Sequence, residues 1–155
     1  MMKLSKDGEA MIKGFEGLRL KAYRDSAGIW TIGYGSTRYS NGNAVKATDE
    51  LDSETAASDL FNNTLKEYED AVNKHTRTEL TQNQFDSLVS ITYNVGAGIM
   101  QGSTLIKKLN TGDFAGAADQ FLVWDKITDP HTRKKVVNKT LAERRSIERD
   151  NFLKS

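Results

Sequence analysis

The sequence predicts an α+β fold that is mainly helical, with a small β-hairpin subdomain near the N-terminus. Three observations predict it. Only one proline, Pro130, occurs in 155 residues, so little in the chain interrupts a helix. Apolar residues recur at the 3.6-residue helical period over most of the chain beyond residue 53. Strand formers cluster instead between residues 21 and 39.

The elements follow in order. A first helix is expected near residues 5–15, with Ile12 and Phe15 facing inward. Tyr23, Ile29, Trp30, Ile32 and Tyr34 then favour strands, and Asp25-Ser-Ala-Gly28 is a turn signal. With a second turn cluster at Tyr39-Ser-Asn-Gly-Asn43, a hairpin or a three-stranded sheet is predicted. Ala57, Leu60, Phe61, Leu65, Tyr68 and Val72 predict a long helix over about 53–74. At ~1.5 Å per residue it is long enough to bridge a β subdomain and a helical lobe. Thr81-Gln-Asn-Gln84 is a capping box, followed by Phe85, Leu88, Val89, Thr92 and Val95 on one stripe. Gly96-Ala-Gly98 ends that helix. Ser103 caps a short helix that stops at Asn110-Thr-Gly112. Asp113 caps the next, carrying Phe114, Ala117, Ala118, Phe121 and Trp124. Asp129-Pro130 breaks the chain. Thr140-Leu-Ala-Glu143, a second capping box, is expected to open a final helix with Leu141, Ile147, Phe152 and Leu153. Trp30 and Trp124 are read as core residues. Residues 1–155 are expected to form one domain, with the β subdomain at about 20–50 and the helical lobe at about 75–155 plus the first helix. A cleft between two such lobes is a default ligand site.

Composition narrows the function. Cysteine is absent, so no disulfide staples the fold, which fits synthesis in a reducing compartment. Charged residues interrupt Met1–Leu20, so no apolar core of a secretion signal is present. No segment reaches the ~20 apolar residues of a membrane span. The expectation is a soluble chain made in the cytoplasm, without stable membrane insertion. The net charge is +1, with balances of +4 over residues 1–46, −6 over 47–79, −2 over 80–125 and +5 over 126–155. The basic C-terminal run lacks interleaved aromatics, which argues against a nucleic-acid partner. His75 and His131 stand apart without ligand spacing, so no metal and no cofactor are expected. Gly33-Tyr-Gly35 is too short for a dinucleotide loop.

Carboxylates remain. Glu16 lies at the end of the first helix between Gly14 and Gly17, and Asp25 lies at the turn of the hairpin that follows. A helix end and an adjacent hairpin can hold two carboxyl groups and a hydroxyl around one bond. Glycoside hydrolysis needs such a set: one carboxylic acid protonates the leaving oxygen, and a second carboxylate activates water or attacks the sugar. Spacing alone nevertheless favours a surface charge for Glu16 and a turn former for Asp25.

The motif reverses that. Gly14-Phe-Glu-Gly-Leu-Arg-Leu-Lys-Ala-Tyr-Arg-Asp25, followed by Gly28-Ile-Trp-Thr-Ile-Gly-Tyr-Gly35, resembles the signature of phage-type lysozymes, the endolysins of glycoside hydrolase family 24. Glu16, Asp25 and Thr31 match its Glu, eight residues, Asp, five residues, Thr spacing without a gap. Leu80–Leu88, Tyr93–Gly98, Ser103–Leu105 and Leu141–Glu148 resemble further family segments. The resemblance implies a lysozyme-like fold with the active site between lobes. It implies a muramidase acting on peptidoglycan glycan strands, with Glu16 as general acid, Asp25 positioning or activating water, and Thr31 holding that water. A water held between carboxylate and sugar implies inversion. Tyr93, Asn94, Ser103 and Thr104 resemble sugar-contacting positions; core tyrosine, helix cap and N-cap are the competing readings for Tyr93, Asn94 and Ser103. Arg145 resembles the arginine that orients the catalytic glutamate. The implied enzyme is a monomer that lyses a host cell from outside its membrane, released there by a separate holin-type permeabilising protein. A lytic transglycosylase and a non-catalytic cell-wall-binding module are the alternatives. Two departures stand out. Ser36 occupies the place of the family's usual histidine, where a changed local contact is expected. Asn138-Lys-Thr140 replaces the glycine that usually opens the paired-arginine motif.

Overall fold

The computed structural model describes residues 1–154 and contains six α-helices and two small antiparallel hairpins among them. The helices are α1 Lys6–Glu16, α2 Glu54–His75, α3 Gln82–Val95, α4 Thr104–Asn110, α5 Phe114–Phe121 and α6 Lys139–Leu153. The strands are β1 Arg19–Arg24 and β2 Trp30–Gly33, then β3 Lys126–Thr128 and β4 Lys135–Val137. A 3-10 turn covers Ala97–Met100. The chain divides into two compact units, residues 10–67, and residues 1–9 together with 68–155.

In the first unit, β1 and β2 form the predicted hairpin. Tyr23 stands opposite Thr31 and Arg24 opposite Trp30, and the register slips between Arg19 and Tyr23. Among the described residues no third strand completes a sheet; isolated bridges such as Lys21 with Glu50 and Arg38 with Ala44 take its place. Ile32, Val45 and Leu60 form the apolar centre, with Trp30, Tyr39 and Leu51 packed against it. Trp30 is thus a partly buried core residue, as expected. The Tyr39 hydroxyl donates to Asp49 at 2.7 Å. Burial and this bond push its phenol pKa up to about 12.

In the second unit, α3 packs on α6, and α5 on α4 and α6. Phe85, Leu88, Ile91, Leu105, Phe121 and Phe152 are fully buried there. The Thr81–Gln84 capping box is present, and Ser103 and Asp113 cap α4 and α5 by accepting the N–H groups of Ile106 and Gly116. Ser5 caps α1: its hydroxyl accepts the Gly8 N–H at 3.0 Å and donates to Asp86. Gly8 has no Cβ because Asp86 fills that space; a Cβ there would lie 2.5 Å from the Asp86 Cγ.

Three expectations fail here. The final helix opens two residues earlier than the Thr140 box predicts, because the Asn138 Oδ1 accepts the Leu141 N–H at 3.0 Å and makes Asn138 the cap. The chain around Pro130 is a hairpin rather than a simple break. Asp129 organises its turn, accepting N–H bonds from His131 and Thr132. The left-handed position, usually a glycine, is filled by Arg133 at φ 58°, so the usual turn signal is missing. Finally, Trp124, Ile147 and Leu153 are exposed. The inner face of α6 is Arg144, Arg145, Glu148 and Phe152, a charged stripe that an apolar-period search does not select.

Candidate active site

Glu16 is the last residue of α1. The helix stops there because Gly17 turns left-handed at φ 71°, and its N–H returns to the Lys13 carbonyl at 2.9 Å, as helix C-termini commonly do. The Glu16 carboxyl then lies against the backbone of Gly35. A Cβ on Gly35 would sit 2.7 Å from Glu16 Oε1 and 3.2 Å from its Cδ, and Gly35 holds φ at 89°. Gly35 is therefore the seat of this carboxyl. The sequence offered it as half of a short Gly-x-Gly and as the end of the Gly28–Gly35 motif, with no role of its own; its place is two residues beyond a strand that ends at Gly33.

Gly33 supplies an internal comparison. It is also left-handed, at φ 69°, but a Cβ there would meet only ordinary contacts, from 3.5 Å outward, to Leu51, Ala57 and Leu60. Both alanine substitutions strain the backbone; only the one at Gly35 displaces Glu16. The expected outcome is that Gly33→Ala and Gly35→Ala lower the melting temperature alike, while Gly35→Ala alone cuts the activity of the folded protein, by roughly 100-fold for a misplacement near 1 Å. Equal activities would remove Gly35 from the site.

Asp25 and Thr31 are held by the first hairpin. Asp25 Oδ1 accepts the N–H groups of Ala27 and Ile29, each at 2.9 Å. The backbone closes the same turn through Asp25 N–H to Ile29 O at 3.0 Å. This Asx-type turn is why an aspartate suits the corner. It also leaves Oδ2 without a protein hydrogen bond among the described residues. The Thr31 side chain is 3% exposed, and its hydroxyl donates to the Ile29 carbonyl at 2.8 Å. Its one proton is spent, so toward any further partner it presents lone pairs.

Strand alternation places these groups together. Opposed residues of an antiparallel pair share a face, so Tyr23 and Thr31 lie on one face and Arg24 and Trp30 on the other. The Arg24 guanidinium stacks 4.9 Å from the Trp30 ring centre, as that second face requires. Asp25 continues the Tyr23 side of the alternation. The phenol of Tyr23 is raised above its usual pKa by burial first, then by the Glu16 charge; Arg19 opposes and Asp25 adds. One phenol therefore lies in the field of both carboxyl groups. Behind the hairpin, Ser36 is fully buried, and its hydroxyl donates to Thr64 Oγ1 at 2.8 Å, since the Thr64 proton already goes to Leu60 O at 3.0 Å. A buried hydroxyl pair stands where the family usually has a histidine, the changed local contact that was expected.

The remaining candidates lie in the other unit. Arg145 is fully buried. Its Nε donates to Trp124 O at 2.8 Å, Nη1 to Glu148 and Nη2 to Asn94 Oδ1. Burial lowers the pKa of its guanidinium, and Glu148 works against that shift. Glu148 also receives Arg144 Nε at 3.2 Å and the Ser90 hydroxyl at 2.5 Å. Tyr93 is buried with its ring 5.2 Å from that of Tyr68. Asn94 is exposed, and Gly96, not Asn94, is the helix C-cap. Ser103 is the N-cap of α4. With Thr104, Gln101, Val95, Gln120 and the exposed Trp124 it lines an open cavity of about 550 Å³.

Comparison with known proteins agrees with this picture. The profile of the phage lysozyme family matches residues 13–148. The chain belongs to the phage lysozyme family. Members of this family are glycoside hydrolases, and this phage lysozyme is 42% identical over 126 residues to the endolysin of Salmonella phage P22, covering 81% of this chain and 86% of that one. It superposes on the endolysin from Escherichia coli O157:H7 phage FAHEc1 with a TM-score of 0.90 at 43% identity, covering 98% of this chain and 94% of that one. The muramidase domain of SpmX from Asticaccaulis excentricus superposes with a TM-score of 0.88 at 32% identity over the full length of both. These likenesses make the chain a peptidoglycan-hydrolysing muramidase.

Proposed function

We propose that this enzyme hydrolyses the β-1,4 bond between N-acetylmuramic acid and N-acetylglucosamine with inversion at the anomeric carbon, in the service of host cell lysis. The observation that carries the reading is the hydrogen-bond bookkeeping at Asp25 and Thr31. With Oδ1 committed to Ala27 and Ile29, and the Thr31 proton committed to Ile29 O, the shared face offers two acceptors, Asp25 Oδ2 and the Thr31 lone pairs. A water donating one proton to each points an oxygen lone pair away from both. In the reaction the Glu16 carboxyl gives its proton to the leaving glycosidic oxygen as that bond breaks. The water oxygen bonds to the anomeric carbon from the opposite side, and its proton passes to Asp25.

Asn94, Ser103, Thr104 and Tyr93 are the proposed sugar contacts; Asn94 and Thr104 are exposed, Ser103 is partly so, and Tyr93 is buried. Arg145 is proposed as an orienting residue, and its bond to the Asn94 amide oxygen supports a role in setting an amide toward glycan. Digestion of purified peptidoglycan tests the reaction. Initial products are expected as α-anomers carrying one added water at each cut. First-formed β-anomers would overturn inversion, and products one water lighter would overturn hydrolysis in favour of the transglycosylase route.

A further inference from the structure

Tyr23 belongs to no part of the chemistry described so far, yet four observations converge on its hydroxyl. The strand register sets it directly opposite Thr31. Alternation puts it on the face that also carries Asp25. The Arg19 guanidinium stacks 4.4 Å from its ring centre and fixes the ring's position. No protein group among the described residues hydrogen-bonds its hydroxyl, although the residue is half-buried. A partly buried tyrosine normally seats its ring and finds a polar partner for its tip.

We propose that Tyr23 is a further substrate-binding residue, whose phenol donates a hydrogen bond to an oxygen of the sugar held between Glu16 and Asp25. This rests on the muramidase assignment of those two residues. The two carboxyl groups explain why a phenol suits the place. Each disfavours a phenolate nearby, so the hydroxyl stays protonated and remains a donor throughout the working range of a carboxyl-based mechanism. A neutral donor also leaves the proton count of acid and base unchanged, which a lysine or histidine at this position would not do. The sugar, rich in acceptor oxygens, is the partner the hydroxyl lacks in the protein alone.

Tyr23→Phe tests it, because phenylalanine keeps the ring and its stacking with Arg19 and removes only the hydroxyl. The expected result is a kcat/KM lower by about tenfold on peptidoglycan, carried mainly by KM, with an unchanged melting temperature and unchanged limbs of the pH profile. One neutral hydrogen bond has about that worth. An unchanged kcat/KM overturns the proposal, as does a loss matched by a loss of folded protein. A second measurement reads the placement without activity: the Tyr23 phenol, followed by carbon NMR on labelled tyrosine, should titrate at lower pH in Glu16→Gln than in the wild type. An unmoved midpoint overturns the proposal too. If instead Glu16→Gln cleaves peptidoglycan as well as the wild type, it is the assignment of Glu16 that fails, and the titration still decides where Tyr23 stands.

Discussion

Glu16→Gln is expected to abolish clearing of permeabilised bacteria while leaving the fold unchanged. Glutamine has the length and shape of glutamate. It therefore keeps the seat on Gly35, where a Cβ would come 2.7 Å from Oε1, and it leaves Gly17 free to end α1. What it lacks is a proton that it can give to a leaving oxygen. A positioned general acid contributes about 10²–10⁴ in rate, so clearing should fall by roughly 10³-fold or more, with the melting temperature moved by no more than about 2 °C. The measurement pairs a turbidity assay with a thermal melt on the same preparations. Equal clearing by both proteins would remove Glu16 from the acid role. Failure of both to clear would favour a wall-binding module without catalysis.

Arg145→Leu is expected to be the most destabilising of the substitutions considered. Its guanidinium and the Glu148 carboxyl are both fully buried. Removing one partner strands the other charge away from water, a change that typically costs about 3–5 kcal/mol. Arg144, still 3.2 Å from Glu148 Oε2, offsets part of this, so about 3 kcal/mol is expected. For a chain of this size that lowers the melting temperature by roughly 6–12 °C. Leucine also leaves Trp124 O and Asn94 Oδ1 without their donor. Lysine keeps the charge but cannot reach three acceptors in three directions, so Arg145→Lys should recover less than half of the loss. Calorimetry checks both. A melting temperature within 2 °C of wild type for Arg145→Leu would mean that Arg144 alone neutralises Glu148.

The features that local chemistry controls were legible along the chain. Thr81 with Gln84, Ser103 and Asp113 each cap the helix that follows them, because a cap is satisfied by N–H groups two or three residues away. The long helix α2 was readable from apolar spacing, and the first hairpin from strand formers around Asp25-Ser-Ala-Gly28. The pairing of Glu16, Asp25 and Thr31 came from a motif; spacing alone would have left Glu16 as a surface charge.

Other features depend on residues far apart in sequence. Ser36 needed Thr64, Gly8 needed Asp86, and Gly35 needed Glu16 before their roles had any content. Asn138, not Thr140, caps α6, and its own N–H is held by the Asp125 carbonyl across the second hairpin; that hairpin closes through Arg133 in a conformation that no glycine announced. The α6 stripe is the sharpest case. Arginine and glutamate read as solvent-facing in any window of sequence, because a lone charge is costly to bury. Arg144, Arg145 and Glu148 are buried because they meet one another, Ser90 and Asn94 in space. The sequence by itself determined most of the helices, the caps at Thr81, Ser103 and Asp113 and the Glu16–Asp25–Thr31 motif, since these rest on interactions or spacings within a few residues. Only the tertiary structure decided what seats Glu16, what Arg145 holds and what stands beside Thr31, since those depend on desolvation and close contact between segments the chain keeps apart.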